Sequence, residues 1–247
     1  MDETAAGGAL TSDGSALGRR HARVREIVMS FALRRARAPS VAELVHLVDG
    51  AASEADVRRT LSELAEAHAL VLHPGGGSKR AGEIYVAHPF AFYPSLFQVS
   101  FTMHEGQERR SFDSPCIWCA LGAAAALERG QVCAGSVITT CDGGDCSRPV
   151  SLEVRGDRIE PSTSAEGDEW LVHCLVPARD AWENVVYTCS NMLLFSSRRR
   201  VDEWRARNGV GPDEGDVKTL GQMAAMARGW CVLPQARGRT STPFGGL

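Results

Sequence analysis

Ser114-Pro115-Cys116-Ile117-Trp118-Cys119-Ala120-Leu121-Gly122-Ala123-Ala124-Ala125-Ala126-Leu127-Glu128-Arg129 is the stretch from which the fold of this chain is read. A serine followed by proline is a helix-start signal, because proline at the first helical position has no amide hydrogen to waste. The spacing predicts a helix from there to about Arg129. Its small, apolar run predicts burial. It also carries two thiols at Cys116-x-x-Cys119, and a third thiol, Cys189, follows 70 residues later in Val186-Tyr187-Thr188-Cys189-Ser190. Thiols on separate apolar elements point to soft-metal or nucleophilic chemistry rather than to a structural bridge.

C-terminal to the helix, Val150, Leu152 and Val154 alternate as in a strand. Leu171–Val176 and Val185–Phe195 are apolar runs of strand length or slightly more. Arg198–Arg207, with Val201 and Trp204, reads as a helix, and so does Val217–Ala227, closed by Gly229. N-terminal to it, Pro89–Phe101 reads as a connection between two halves. Val24, Ile27, Val28 and Phe31 recur at helical spacing. Ser40-Val41-Ala42-Glu43 is a capping box ahead of Leu44, Leu47 and Val48, and Ser53 opens a third helix with Val57, Leu61 and Leu64 on one stripe. Leu70–Leu72 and Ile84–Val86 flank a Gly75-Gly76-Gly77-Ser78-Lys79 tip, the pattern of a β-hairpin. Three helices and a hairpin predict a winged-helix-like domain. The expected class is α+β, with a disordered leader over 1–18, the winged-helix-like domain over 19–88, a thiol-bearing mixed sheet with helices over 89–234, and a flexible tail over 235–247.

The 247 residues are 44% hydrophobic and 23% charged, with a formal net charge of −3. These values describe an ordinary globular protein, and the total does not attract nucleic acid or membrane. Arginines cluster at 19–37 and at 198–200. The third helix carries Arg58 and Arg59, but also Glu54, Asp56, Glu63 and Glu66, which argues for a packing cap rather than a DNA reader. No apolar run approaches ~18 residues, so no membrane span is expected. The start of the chain lacks the basic and apolar regions of a signal peptide, so a cytoplasmic protein with reduced cysteines is expected.

The residues leave three thiol pairings open. Cys116-x-x-Cys119 at a helix start has the form of a redox dithiol. Cys116, Cys119, Cys141 and Cys146 have the composition of a zinc site, with an unusual gap in the second pair. The third pairing is Cys119 with Cys189. Cys133, Cys174 and Cys231 sit in apolar surroundings and read as core.

A resemblance selects the third pairing. Trp118-Cys119-Ala120-Leu121 is similar to the segment holding the first catalytic cysteine of the organomercurial (alkylmercury) lyases. Thr188-Cys189-Ser190-Asn191-Met192-Leu193-Leu194-Phe195-Ser196, with the Trp204 helix after it, resembles the segment holding their second. Thr140-Cys141 and Pro149-Val150-Ser151-Leu152 resemble an intervening turn and strand, and Ala87-His88-Pro89-Phe90 resembles the entry to the catalytic domain. The resemblance implies that Cys119 and Cys189 take the mercury of an R–Hg⁺ substrate as thiolates, with Hg(II) as product, cellular thiols as partners and no cofactor. It also implies an aspartate three residues after the first cysteine, which moves protons from the thiols to the departing carbon. This chain has Gly122 there, and glycine relays no proton. Asp113, Asp142 and Asp145 are the candidate substitutes, with Asp145 first because it shares a turn with two cysteines. Two other readings accompany an altered lyase: a protein that binds or senses a thiophilic metal, Hg(II) or Cu, and a lyase-fold enzyme recruited to small-molecule biosynthesis.

Overall fold

The structure, a computed structural model, describes residues 16–48, 52–74, 80, 82–102, 109–129, 133–145, 149–155, 158–162, 169–177, 180–181 and 183–231. The leader, the glycine tip, Cys146 and the C-terminal tail therefore lie outside the described residues.

Helix α1 (Ala16–Arg35), α2 (Val41–Leu47) and α3 (Glu54–Glu66) come first. The Ser40–Glu43 capping box is present, and Ser53 with Asp56 makes a second one, so both helices start where side chains satisfy their first amides. Strands β1 (Val71–Leu72), β2 (Ile84–Ala87) and β3 (Phe90–Ala91) form an antiparallel sheet, with Val71 opposite Val86 and Val86 opposite Ala91. Val24, Ile27, Val28, Leu44, Leu61 and Leu64 fill a core of their own under this sheet.

The larger core belongs to the second half. Strands β4 (Phe97–Thr102), β5 (Arg109–Ser114), β6 (Cys133–Thr139), β7 (Val150–Arg155) and β8 (Arg158–Pro161) make an antiparallel sheet in the order β5-β4-β6-β7-β8. The expected alternation at Val150, Leu152 and Val154 is seen as buried residues on β7. Helix α4 (Ile117–Arg129) lies across this sheet and against α7 (Leu220–Trp230). Two glycines set its depth. A Cβ on Gly122 would stand 2.9 Å from Cys231 Cβ and 3.0 Å from the Ala227 carbonyl oxygen, and one on Gly135 of β6 would stand 3.4 Å from the Ala124 carbonyl oxygen. The small run in α4 therefore serves close approach on both sides, which is why the helix is buried.

A third antiparallel sheet, β10-β9-β11, joins β9 (Leu171–Cys174), β10 (Met192–Phe195) and β11 (Asp216–Thr219). Helix α6 (Arg198–Asn208) packs Val201 and Trp204 against Phe195 and ends at Gly209 in the left-handed conformation. Before β10, Asp142 starts a short 3₁₀ turn (Asp142–Gly144) and accepts hydrogen bonds from Ser196 N and Oγ at 2.9 Å each, tying the two segments.

Four sequence expectations need correction. The 185–195 run is not one strand: Asn184 caps a short helix α5 (Val185–Ser190) by accepting from Tyr187 N, and only Met192–Phe195 is extended. Val217–Ala227 is likewise divided. Thr219 forms a capping box with Gln222, so α7 begins at Leu220 and the residues before it pair with β9. The Pro89–Phe101 connection contains β3 and the start of β4. The helix predicted from Ser114-Pro115 starts two residues later: Ser114 ends β5, donating from Oγ to the Pro89 carbonyl at 2.8 Å, while Cys116 caps the helix. Class and layout are nevertheless α+β. Among the described residues no helix is long and apolar enough to cross a membrane.

Candidate thiol and imidazole site

The start of α4 places two sulfurs. Cys116 occupies the cap position, and its Sγ accepts a hydrogen bond from the Cys119 amide at 3.4 Å, the place a serine oxygen takes in an ordinary cap. Cys119 is one turn in. Helix α5 brings Cys189 to the same place, held by the Asn184 cap and by Thr188 Oγ1, which donates to the Ala181 carbonyl at 3.0 Å. The link between β2 and β3 adds His88, whose Nδ1 lies 3.3 Å from Cys119 Sγ. One ligand atom each from His88, Cys119 and Cys189 lie within 4.8 Å of one another, and no other group of three or more His, Cys, Asp or Glu is found among the described residues. All three are buried, as is Cys116.

The site's electrostatics follow from burial and from sulfur contacting sulfur. Burial opposes ionisation of Cys116, but hydrogen bonds from the Cys119 and Cys189 thiols and from the Cys119 amide, with His88 nearby, hold it well below the ordinary thiol range. Cys119 is pushed well up by burial, by its hydrogen bonds to Cys116 and Cys189 and by the charge on Cys116. Cys189 is raised first by its hydrogen bond to Cys116 and further by burial. The trio therefore favours one negative charge, carried at the helix N-terminus, with protons retained on its neighbours. His88 is lowered to about 4 by burial, against an opposing pull from Cys116 and with a smaller lowering by the Arg25 guanidinium of α1. Its imidazole is neutral at neutral pH. On β9, burial and then Cys116 push Cys174 up to about 12.

Tyr93, just after β3, completes the surroundings. Its ring stacks on Tyr85 with centroids 4.5 Å apart, and its hydroxyl is buried with no hydrogen-bond partner among the described residues. Burial, then the charge of Cys189, raises the phenol, so it stays protonated.

A model of the alkylmercury lyase family matches residues 98–231, more than half of the chain. This chain belongs to the alkylmercury lyase family. A solved structure described as the mercury-bound form of MerB2 shares the fold, with a TM-score of 0.55 and 15% identity over 87% of this chain and 98% of that one. No curated protein matches the chain.

Against the sequence expectations for this alkylmercury lyase relative, the structure brings Cys119 and Cys189 together. It does not bring Asp145 to them: that carboxylate is exposed and paired with Arg207 of α6. Asp142 holds Ser196 and lies 3.7 Å from Arg200, and Asp113 accepts from Ser95 N at 3.3 Å. Gly122 faces Cys231 and Ala227, so the space beyond its Cα is filled by α7. Cys141 is buried but outside the three-residue group, and Cys146 lies outside the described residues. Cys231 is buried as expected, Cys174 is half-buried, and the Cys133 side chain lies outside the description. Sequence reasoning passed over His88 and Tyr93 as site residues. The only available signal was a histidine and aromatic residues clustered at 85–93, between the two halves.

Proposed function

We propose that this chain is an organomercurial lyase-type protein that captures the mercury of R–Hg⁺ on Cys119 and Cys189 and releases the organic group as R–H, more slowly than an enzyme carrying an aspartate at position 122. The observation that carries the reading is the convergence of the two buried sulfurs within 4.8 Å. Two metal–sulfur bonds of ~2.3 Å laid end to end span roughly 4.6 Å, so a linear S–Hg–S unit fits with little movement.

The proton count supports it. The two thiols of Cys119 and Cys189 meeting R–Hg⁺ give Hg(S–Cys)₂ and R–H, with one thiol proton going to carbon, where the carbon–mercury electron pair forms the new C–H bond, and the other going to the Cys116 thiolate. A trio that keeps one charge and retains its other protons presents that combination. No carboxylate stands in the three-residue group to time the transfer, and a positioned acid typically contributes ~10²–10⁴-fold. The neutral His88 imidazole beside Cys119 and the protonated Tyr93 phenol are the remaining groups able to move a proton there. The sites on α4 and α5 lie in a domain over 89–234, and we assign the domain over 19–88 to packing rather than to DNA.

Methane released from methylmercury in excess thiol tests the reading. Wild type is expected to give slow turnover that Cys119→Ser or Cys189→Ser abolishes. Turnover surviving loss of both cysteines would overturn it.

A further inference from the structure

Away from the thiols, β9 carries a second buried histidine. The two faces of the β10-β9-β11 sheet serve different cores. Val172 and Leu194 belong to the larger core with α4, while Leu171, Leu193 and Phe195 pack with Val201 and Trp204 of α6. His173 stands opposite Leu193 and Val217, on the α6 side, and is fully buried. Its Nε2 lies 3.2 Å from Nε of Arg205, a residue only 7% exposed. A guanidinium can only donate, so Nε2 accepts and the ring proton sits on Nδ1. Nδ1 is buried with no hydrogen-bond partner among the described residues. We propose that His173 and Arg205 form an acid-labile latch, which holds α6 on this sheet and releases it when His173 takes up a proton.

Two hydrogen-bond arrangements compete at the latch. With His173 neutral, Arg205 donates from Nε to His173, from Nη1 to the Pro212 carbonyl at 2.8 Å and from Nη2 to the Glu214 carbonyl at 2.8 Å. These bonds tie the C-terminal half of α6 to β9 and to the link before β11. A proton on Nε2 removes the acceptor and sets two cations 3.2 Å apart among apolar side chains, where they repel strongly. The new Nε2–H faces the Glu214 carbonyl, 3.4 Å away, and competes with Arg205 for it. The link has no slack: Gly215 has φ +76°, and a Cβ there would stand 2.5 Å from the Cys174 carbonyl oxygen. Arg205 is therefore the group that withdraws, and α6 moves with it. The charged groups acting on His173 are Arg205 and Arg198 of α6 and Asp216 of β11, while β10 presents Leu193 and Phe195. Burial, then Arg205, holds His173 below its ordinary 6.5; the Glu214 carbonyl opposes them, with smaller effects from Arg198, which lowers, and Asp216, which raises. The Asp142–Gly144 turn depends on the same layer, since Gly143 lies against Trp204 and Asp142 is 3.7 Å from Arg200. Cys119 and Cys189 belong to the larger core on the other face of the sheet, so the latch stands apart from mercury chemistry.

Amide hydrogen exchange of the full chain between pH 7 and 5, read by mass spectrometry and corrected for the intrinsic pH dependence of exchange, tests the latch. A histidine held below its ordinary value binds a proton on opening, so the closed form is favoured above pH 6.5 and loses ground as pH falls. The opening equilibrium of 200–215 should rise by up to about tenfold per pH unit below 6.5. His173→Gln keeps an acceptor for Arg205 but takes no proton, and its 200–215 segment should stay equally protected at both ends of the range. Because that variant can misfold, a second arm uses only wild type at pH 5. Low urea should leave exchange of 200–215 unchanged, as for a local opening that exposes little surface, and should speed exchange of α4. Protection of 200–215 that does not fall with pH, an equal fall in His173→Gln, or a urea dependence matching that of α4 would overturn the latch.

Discussion

At the scale of single residues, position 122 has its vacancy in chemistry and none in space. The aspartate that the family resemblance implies would project from a Cα whose next neighbours are Cys231 Cβ and the Ala227 carbonyl oxygen. Gly122→Asp is therefore expected to lower stability by about 1–3 kcal/mol, as overpacking does, and not to restore fast cleavage. Thermal unfolding beside the methane assay checks both parts. A faster enzyme of unchanged stability would show that α7 moves aside. His88 gives a second expectation. Its folded pKa of about 4 lies below the ordinary 6.5, so between those values the unfolded chain binds a proton that the folded chain does not. Stability from this residue is complete above pH 6.5 and is lost as pH falls towards 4, to a total of about 3 kcal/mol. The groups facing it are Cys119, Cys189, Cys116 and Arg25. Denaturant unfolding from pH 7 to 4.5 should show a slope that flattens in His88→Gln; an equal slope in both proteins would refute it.

At the scale of elements, the short helix α5 positions Cys189 and has little propensity of its own, since Val185, Val186 and Thr188 are β-branched. Its start depends on the Asn184 side chain meeting Tyr187 N at 3.0 Å. Asn184→Ala should cost ~1 kcal/mol of stability and slow mercury capture by Cys189, followed as thiol loss on mercury titration; capture at the wild-type rate would show that α5 is held by its packing alone. The same residues explain how far the sequence could be read. Helix α6 and strand β7 were legible because one periodicity runs through each. The 185–195 run was not, because a β-branched apolar stretch reads as strand, and the one polar residue that begins a helix lies just before it. The cap at Cys116 was missed for a related reason: Ser114-Pro115 is the stronger signal, but the sheet claims Ser114 as its last residue. Cys119 and Cys189 were legible through resemblance, not through spacing, since a pair 70 residues apart has no local signature. Asp145 had a reasonable sequence argument, and an arginine one helix away answers for its charge.

For the whole molecule, the first three helices and the second half are not separate bodies. Met29 and Ala32 of α1 belong to the larger core, and Phe92 packs against both cores. The arginines expected of a DNA reader are engaged within the chain: Arg58 pairs with Glu54, and Arg59 with Asp56. Exposed pairs of this kind contribute little stability, but they leave α3 without a net basic face. Mobility-shift assays on random and promoter DNA at moderate salt should show no sequence-selective binding, and a salt-sensitive specific complex would reverse the assignment of this half to packing.

The Tyr93–Tyr85 stack has a consequence for how the molecule can be cut. The matched family segment begins at residue 98 and contains every site cysteine, yet the imidazole, the phenol and the arginine near the thiols come from residues 88, 93 and 25. The N-terminal half is thus one wall of the thiol pocket. A fragment trimmed to the family segment would keep its sulfurs and open them to water and oxidants. Chimeras with other family members, to keep the pocket closed, would have to exchange the 85–93 bridge together with the helices.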